Sequence, residues 1–190
     1  MNLRTKRMLN DYAEVKEKFA DSEYIKIKTD GLNPPEEYTV TYLVGGLYLN
    51  DGVVCKRYEH HVKITFPADY PMLKPVSVIQ EPLWHPNFNV NGQICIGDEW
   101  GAGQSLVDII VYIGDMIQYK IYNINSPLSY EAAEWAKNNE QLLMNVDDKL
   151  LNPGDDSDIA EDAPLMELDF PDEELAPAKP EKKKFVPFKL

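Results

Sequence analysis

Cysteine is almost missing from this sequence: there are two in 190 residues, Cys55 and Cys95, forty positions apart. That is too few for a disulfide scaffold and too few for a four-cysteine zinc site. Basic residues are scarce as well. Lys and Arg together number 19 against 32 Asp and Glu, for a net charge of −13. A general nucleic-acid-binding surface is therefore not expected, because phosphate neutralisation needs clustered cations. No apolar run approaches the roughly 18 residues that a membrane span requires. Residues 1–10 carry charges but no apolar stretch follows them, so no secretory signal is expected. The class left by these absences is an acidic, cytoplasmic, single-domain protein.

Charge and proline are unevenly spread. Ten acids and no Lys or Arg fall within 151–178, after which Lys182, Lys183 and Lys184 reverse the sign. Six of the fourteen prolines also lie beyond residue 150. Such a stretch buries too little apolar surface to offset its ordering entropy, so the expectation is a domain over 1–148 and a disordered tail over 149–190. Two apolar clusters interrupt the tail, Leu165, Met166, Leu168 and Phe170, then Phe185, Val186, Phe188 and Leu190. They read either as solvated chain or as short docking motifs for a partner or for the tail's own domain.

Within 1–148 the periodicities are clear. Met8, Tyr12, Val15 and Phe19 recur at helical spacing and predict an amphipathic helix over 3–20. Four strand candidates follow: Tyr24–Lys28, Tyr38–Val44, the alternating 58–66, and Val76–Ile79. Turns at Asn33-Pro34-Pro35 and Asn50-Asp51-Gly52 separate the early strands, and the second suits a hairpin. Strands this close together, with no helix between them, predict an antiparallel meander. Residues 80–104 show almost no periodicity and predict a long irregular loop, of the kind that is usually functional. Ser105 and Asp108 are spaced as a capping box ahead of a second, strongly apolar helix. Ser129 is placed to cap a third helix that ends near 147. The fold class is α+β: an N-terminal helix, a four-stranded antiparallel meander, an irregular loop and C-terminal helices.

The loop holds His85-Pro86-Asn87 and, eight positions after the asparagine, Cys95. A thiol is useful in catalysis when it is accessible and partly ionised, and a loop permits both. An asparagine amide near the sulfur would donate to the oxyanion of a tetrahedral intermediate at a thioester. On spacing alone, a lone cysteine reads as readily as a small buried apolar residue.

The motifs taken together resemble the ubiquitin-conjugating enzymes, carriers that accept a ubiquitin-like protein as a thioester. The likeness rests on His85-Pro86-Asn87, on Gly92-Gln93-Ile94-Cys95, and on Phe66-Pro67 followed by Tyr70-Pro71 and Pro75. It continues through Trp100 ahead of an apolar helix and through Asn125-Ser126-Pro127-Leu128, covering roughly 3–145. The resemblance implies that Cys95 is the nucleophile and that Asn87 steadies the oxyanion or the active-site loop. It implies that His85 holds the turn rather than acting as a base, although it belongs to the same catalytic constellation. His60 and His61 read as ordinary strand residues, and Cys55 as packing.

Departures from the family pattern carry information. Where many members place an acid that attracts the incoming lysine, this chain has Ser126, which leaves Asp98 and Glu99 as the nearest alternative acids, or a ligase. The segment from Cys95 to Trp100 is short. The ligase-contact positions carry Met72, Gly101 and Ala102. A divergent member is implied, of the kind expected in a prokaryotic ubiquitin-like operon. The implied partners are a ubiquitin or ubiquitin-like protein, an activating enzyme docking on Arg4, Lys6 and Arg7, and a ligase where lysine attack needs one. No nucleic acid, membrane, metal or organic cofactor is implied. The competing class is a non-catalytic adaptor with the same fold. A cysteine protease is disfavoured, since all three histidines precede Cys95.

Overall fold

The computed structural model describes residues 2–97, 101, 103–152 and the backbone of 175–177. The first helix, α1 (Leu3–Lys18), starts where the Asn2 side chain accepts the Thr5 amide. Five strands follow: β1 (Ile25–Thr29), β2 (Glu37–Tyr42), the hairpin β3 (Gly46–Asn50) and β4 (Val53–Arg57), then β5 (His60–Thr65). After β6 (Val76–Ile79) the chain runs irregularly to α2 (Leu106–Ile117), and α3 (Tyr130–Asn138) and α4 (Glu140–Leu143) complete the domain.

The four strands expected from alternation form one antiparallel sheet in the order β1-β2-β5-β6. Its register is set by the inward face: Val40 sits opposite both Ile27 and Val62, and Tyr38 opposite Ile64. Tyr38, Val40, Tyr42, Val62 and Ile64 are fully buried against Met8 and Val15 of α1 and Ile110, Ile113 and Ile117 of α2. Each such aliphatic side chain contributes about 1.5–3 kcal/mol of burial. The capping box of α2 is present, Ser105 and Asp108 each accepting the other's backbone amide. Among the described residues no helix is long and apolar enough to cross a membrane.

Three features depart from the sequence expectation. The Asn50-Asp51-Gly52 turn does not separate two strands of the main sheet; it joins β3 and β4, an additional hairpin in a second sheet. Asp51 and Gly52 both take positive φ, as a tight two-residue hairpin turn requires. The hairpin's Leu47 and Val54 pack with Tyr119, Trp135, Leu143 and Val146 into a second core. The third helix is interrupted, Asn139 leaving helical geometry at φ −135° so that α3 and α4 are distinct. Finally, Leu151 belongs to the main core, 3% exposed, and fills space over Gly114 and Tyr42. The domain's packing therefore runs past the boundary at 148. A short strand, β7 (Leu175–Pro177), pairs antiparallel with β4. The apolar clusters at 165–170 and 185–190 and the Lys182–Lys184 run lie outside the described residues.

One buried carboxylate ties the first helix to the rest. Asp11, 1% exposed, receives the Arg7 guanidinium at 3.0 Å, the Tyr70 hydroxyl at 2.5 Å and the Leu106 amide at 3.4 Å. Arg7 also donates to the Gln104 carbonyl. Helix α1, the Tyr70-Pro71 turn and the N-terminus of α2 thus meet at a single side chain that no apolar periodicity marks.

Candidate active site

His85 is fully buried between the rings of Phe88 and Tyr119, whose centroids lie 4.9 and 4.6 Å away. Its Nδ1 accepts the Asn87 amide at 3.0 Å, so Nε2 carries the proton and donates to the Ile121 carbonyl at 3.3 Å. Burial lowers its pKa to about 3. A ring with both nitrogens engaged and its charged form suppressed holds a turn; it does not accept a proton from a thiol.

Asn87 is 3% exposed, and its amide is spent on the segment after α2. Oδ1 accepts the Asn123 amide at 2.7 Å, while Nδ2 donates to the Asn123 carbonyl at 2.9 Å and the Ser126 carbonyl at 3.4 Å. The Asn87 backbone carbonyl accepts the Cys95 amide at 2.9 Å. The same residue therefore joins the Cys95 backbone to the 123–126 loop. The Pro86 carbonyl adds two bonds, from the Leu128 and Ser129 amides, which fix the approach to α3.

Between Asn87 and Cys95 the chain doubles back. Asn89 Oδ1 accepts the Asn91 and Gln93 amides, and Gly92 takes φ 79°. A Cβ at Gly92 would sit 2.1 Å from the Ile79 carbonyl, so glycine is required on both counts. The returning strand makes isolated antiparallel bridges, Phe88 to Ile94 and Val78 to Gln93. Cys95 emerges partly exposed and reduced, whereas Cys55 is buried in β4 with its thiol directed at the Val53 carbonyl. The hairpin supports the loop from behind: Trp84 donates its amide to Leu47, and the Tyr119 hydroxyl donates to the Trp84 carbonyl.

The remaining sequence candidates are placed as follows. Ser126 is exposed, its carbonyl facing Asn87. Met72 is 77% exposed on the turn before β6. Gly101 is exposed and exchanges bonds with Gln104. Asp98, Glu99, Trp100 and Ala102 lie outside the described residues. On α1, Lys6 is exposed, but Arg4 is bonded to the Pro67 carbonyl and Glu36, and Arg7 to Asp11 and Gln104. Of the three cations that the resemblance implies for docking, Arg4 and Arg7 thus also serve contacts within the molecule. Sequence reasoning passed over Asn123, Tyr119 and Ile121, which hold the site through backbone groups or a buried hydroxyl. Tyr119 takes φ 61°, unusual for tyrosine, and no composition signal announces it. Among the described residues no group of three or more His, Cys, Asp or Glu side chains is placed to hold a metal ion.

Comparison with known proteins agrees on one family. Residues 7–148 match the family described as "Ubiquitin-conjugating enzyme". The chain is similar to "Ubiquitin-conjugating enzyme E2-20 kDa" of Schizosaccharomyces pombe, 34% identical over 80 residues, 40% of this chain and 44% of that one. It is also similar to "Ubiquitin-conjugating enzyme E2 15" of the same yeast, 28% identical over 97 residues, 43% of this chain and 57% of that one. "Probable ubiquitin-conjugating enzyme E2 31" of Arabidopsis thaliana is 29% identical over 112 residues, 57% of this chain and 70% of the relative. Against the two yeast relatives the chain spans about half their length.

Proposed function

The chain belongs to the ubiquitin-conjugating enzyme family, and we propose that it is a thioester carrier with Cys95 as its nucleophile. The observation that supports this reading best is the contrast between the two thiols: Cys95 is accessible on a loop bonded to Asn87, and Cys55 is buried in a strand. In the proposed cycle the Cys95 thiolate adds to the thioester carbonyl of an activated ubiquitin or ubiquitin-like C-terminus. The carbon–sulfur bond to the activating enzyme breaks, that enzyme's thiol leaves, and the acyl group now rests on Cys95. An amine acceptor later adds to the same carbonyl, loses a proton to solvent, and releases Cys95 as thiolate. Both exchanges run between activated acyl groups or downhill to an amide, so no organic cofactor is needed at this site.

Asn87 acts in this scheme chiefly by bracing. With its amide donating to two carbonyls and accepting one amide, it holds the 123–126 loop beside the nucleophile rather than offering a free donor to an oxyanion. His85 acts the same way on the turn itself. Ser126 supplies no negative charge to draw in an ammonium, so amine attack relies on acids elsewhere, with Asp98 and Glu99 nearest in the sequence, or on a ligase.

The deciding experiment mixes the protein with ATP, a ubiquitin-like protein and its activating enzyme, and resolves products with and without reductant. A band heavier by one modifier, lost on adding thiol, is expected for wild type and for Cys55→Ser, and is expected to vanish in Cys95→Ala. Equal loss in both variants would assign the chemistry to the wrong thiol. Binding without a reducible adduct, using a demonstrably active activating pair, would make the protein an adaptor.

A further inference from the structure

We propose that the outer edge of β4 is a strand-docking site, and that its resident is this chain's own tail strand β7 with the three acids preceding it, held there as a releasable latch. The latch does not depend on Cys95 carrying an acyl group.

The site exists because β3 and β4 form a hairpin of only two strands. Such a ribbon is marginal alone, and its edges present unpaired amides and carbonyls. The β3 side is engaged where the Leu47 carbonyl accepts the Trp84 amide. On the other side β7 pairs antiparallel with β4, Leu175 opposite Val54 and Pro177 opposite Val53. Val53 and Val54 are β-branched and suit a strand. Main-chain pairing of this kind accepts any extended segment, so selection must come from what flanks it.

Charge supplies that selection. Antiparallel pairing sets the N-terminal end of β7 at the C-terminal end of β4. Asp172, Glu173 and Glu174 directly precede Leu175 in the sequence, and Lys56 and Arg57 close β4. Both cations are fixed in place. The Lys56 ammonium donates to the Asn145 carbonyl at 3.0 Å. The Arg57 guanidinium donates to the Pro82 carbonyl at 2.9 Å and lies 5.0 Å from the centre of the Tyr48 ring. Fixed cations at one end of an open edge fit an extended segment whose acids come just before its apolar residues.

The grip is short. Ala176 is an extra residue between the partners of Val53 and Val54, so a bulge breaks the ladder there, and Pro177 has no amide to donate. Few bonds therefore oppose the entropy of closing the chain between Asn152 and Leu175. Contacts of this strength open locally while the domain stays folded. The hairpin beneath the latch reaches the candidate site: Leu47 and Val54 pack with Tyr119, whose ring centre lies 4.6 Å from that of His85. A tail that enters or leaves the edge thus acts on the layer supporting the His85 turn.

Amide hydrogen exchange followed by NMR on the full chain reads the latch residue by residue. Its triple variant carries Asp172→Lys, Glu173→Lys and Glu174→Lys. In that variant the β4 amides directed away from β3 should exchange about threefold faster or more, while those of β2 and β5 keep their rates. Wild type should show the same selective loss in 1 M salt, where the Debye length is about 3 Å. Adding a peptide with the sequence of residues 169–178 to the charge-reversed chain should restore slow exchange in β4, and a scrambled peptide should not. Equal β4 exchange in wild type and variant would overturn the proposal, as would equal rescue by the scrambled peptide or faster exchange spread evenly over β2 and β5. Protection lost on diluting wild type, with twice the chain's mass in light scattering, would seat a second copy's tail on the edge and overturn the latch.

Discussion

At the scale of single residues, burial decides how the histidines behave. His85 is held down to about 3 by burial, and His60, buried under the hairpin with Arg57 beside it, down to about 4, against an ordinary 6.5. An unfolded chain gains a proton on each as pH falls through about 6.5, and the folded chain resists until these far lower values. Their contribution to stability is therefore complete above pH ~6.5 and is lost as pH falls below it, at about 1.4 kcal/mol per pH unit for each group. Unfolding free energies measured from pH 7 to 4.5 should show a shallower slope in His60→Gln than in wild type, by close to one proton. Superimposable slopes would mean that His60 is protonated in the folded protein. The sequence made His60 legible as an inward strand residue through alternation with Val62 and Ile64. Nothing in it marked Asp11, because a carboxylate at a core position in a helix reads as a break in the apolar pattern until its three donors are in view.

At the scale of elements, the site is a set of loops fastened to one another rather than a pocket between helices. Asn87 is the fastener with the widest reach, tying the His85-Pro86-Asn87 turn to the 123–126 loop through its amide and to Cys95 through its carbonyl. Asn87→Ala removes three hydrogen bonds and leaves the Asn123 groups to find water. A loss on the order of 1–3 kcal/mol is expected, read as a lower melting temperature together with slower discharge of the thioester. A variant that discharged slowly but melted as wild type would return Asn87 to a purely oxyanion-stabilising role. The main sheet, α1 and α2 were legible because their apolar residues keep strict periods of two and 3.6. The β3–β4 hairpin was half legible: its turn residues were plain, but Gly46-Leu47-Tyr48 and Val53-Val54-Cys55 are too short for alternation to show which core they serve. The gap between α3 and α4 was hidden because Ala132, Ala136, Leu143 and Val146 keep a helical spacing across it.

At the scale of the whole molecule, the fold ends later than composition implies, and truncation can locate the end. A chain stopped after Asn152 keeps Leu151 in the core and should melt within a few degrees of the full protein. One stopped after Leu150 should lose on the order of 2–5 kcal/mol, as when a buried leucine is deleted. Equal melting of the two shorter chains would remove Leu151 from the core; a large drop already at Asn152 would give β7 a structural role. The domain boundary was not legible because one apolar residue beyond an acidic threshold carries little statistical weight, whatever it packs against. The Asp11 junction has a different consequence, one of timing. Its bonds join residues 59 and 95 positions apart. No fragment of the chain can form them early, and none can keep them once the others part. Helix α1, the Tyr70-Pro71 turn and the start of α2 should consequently open as a single cooperative unit in hydrogen exchange, so that a strain applied at one of them is sensed at the others.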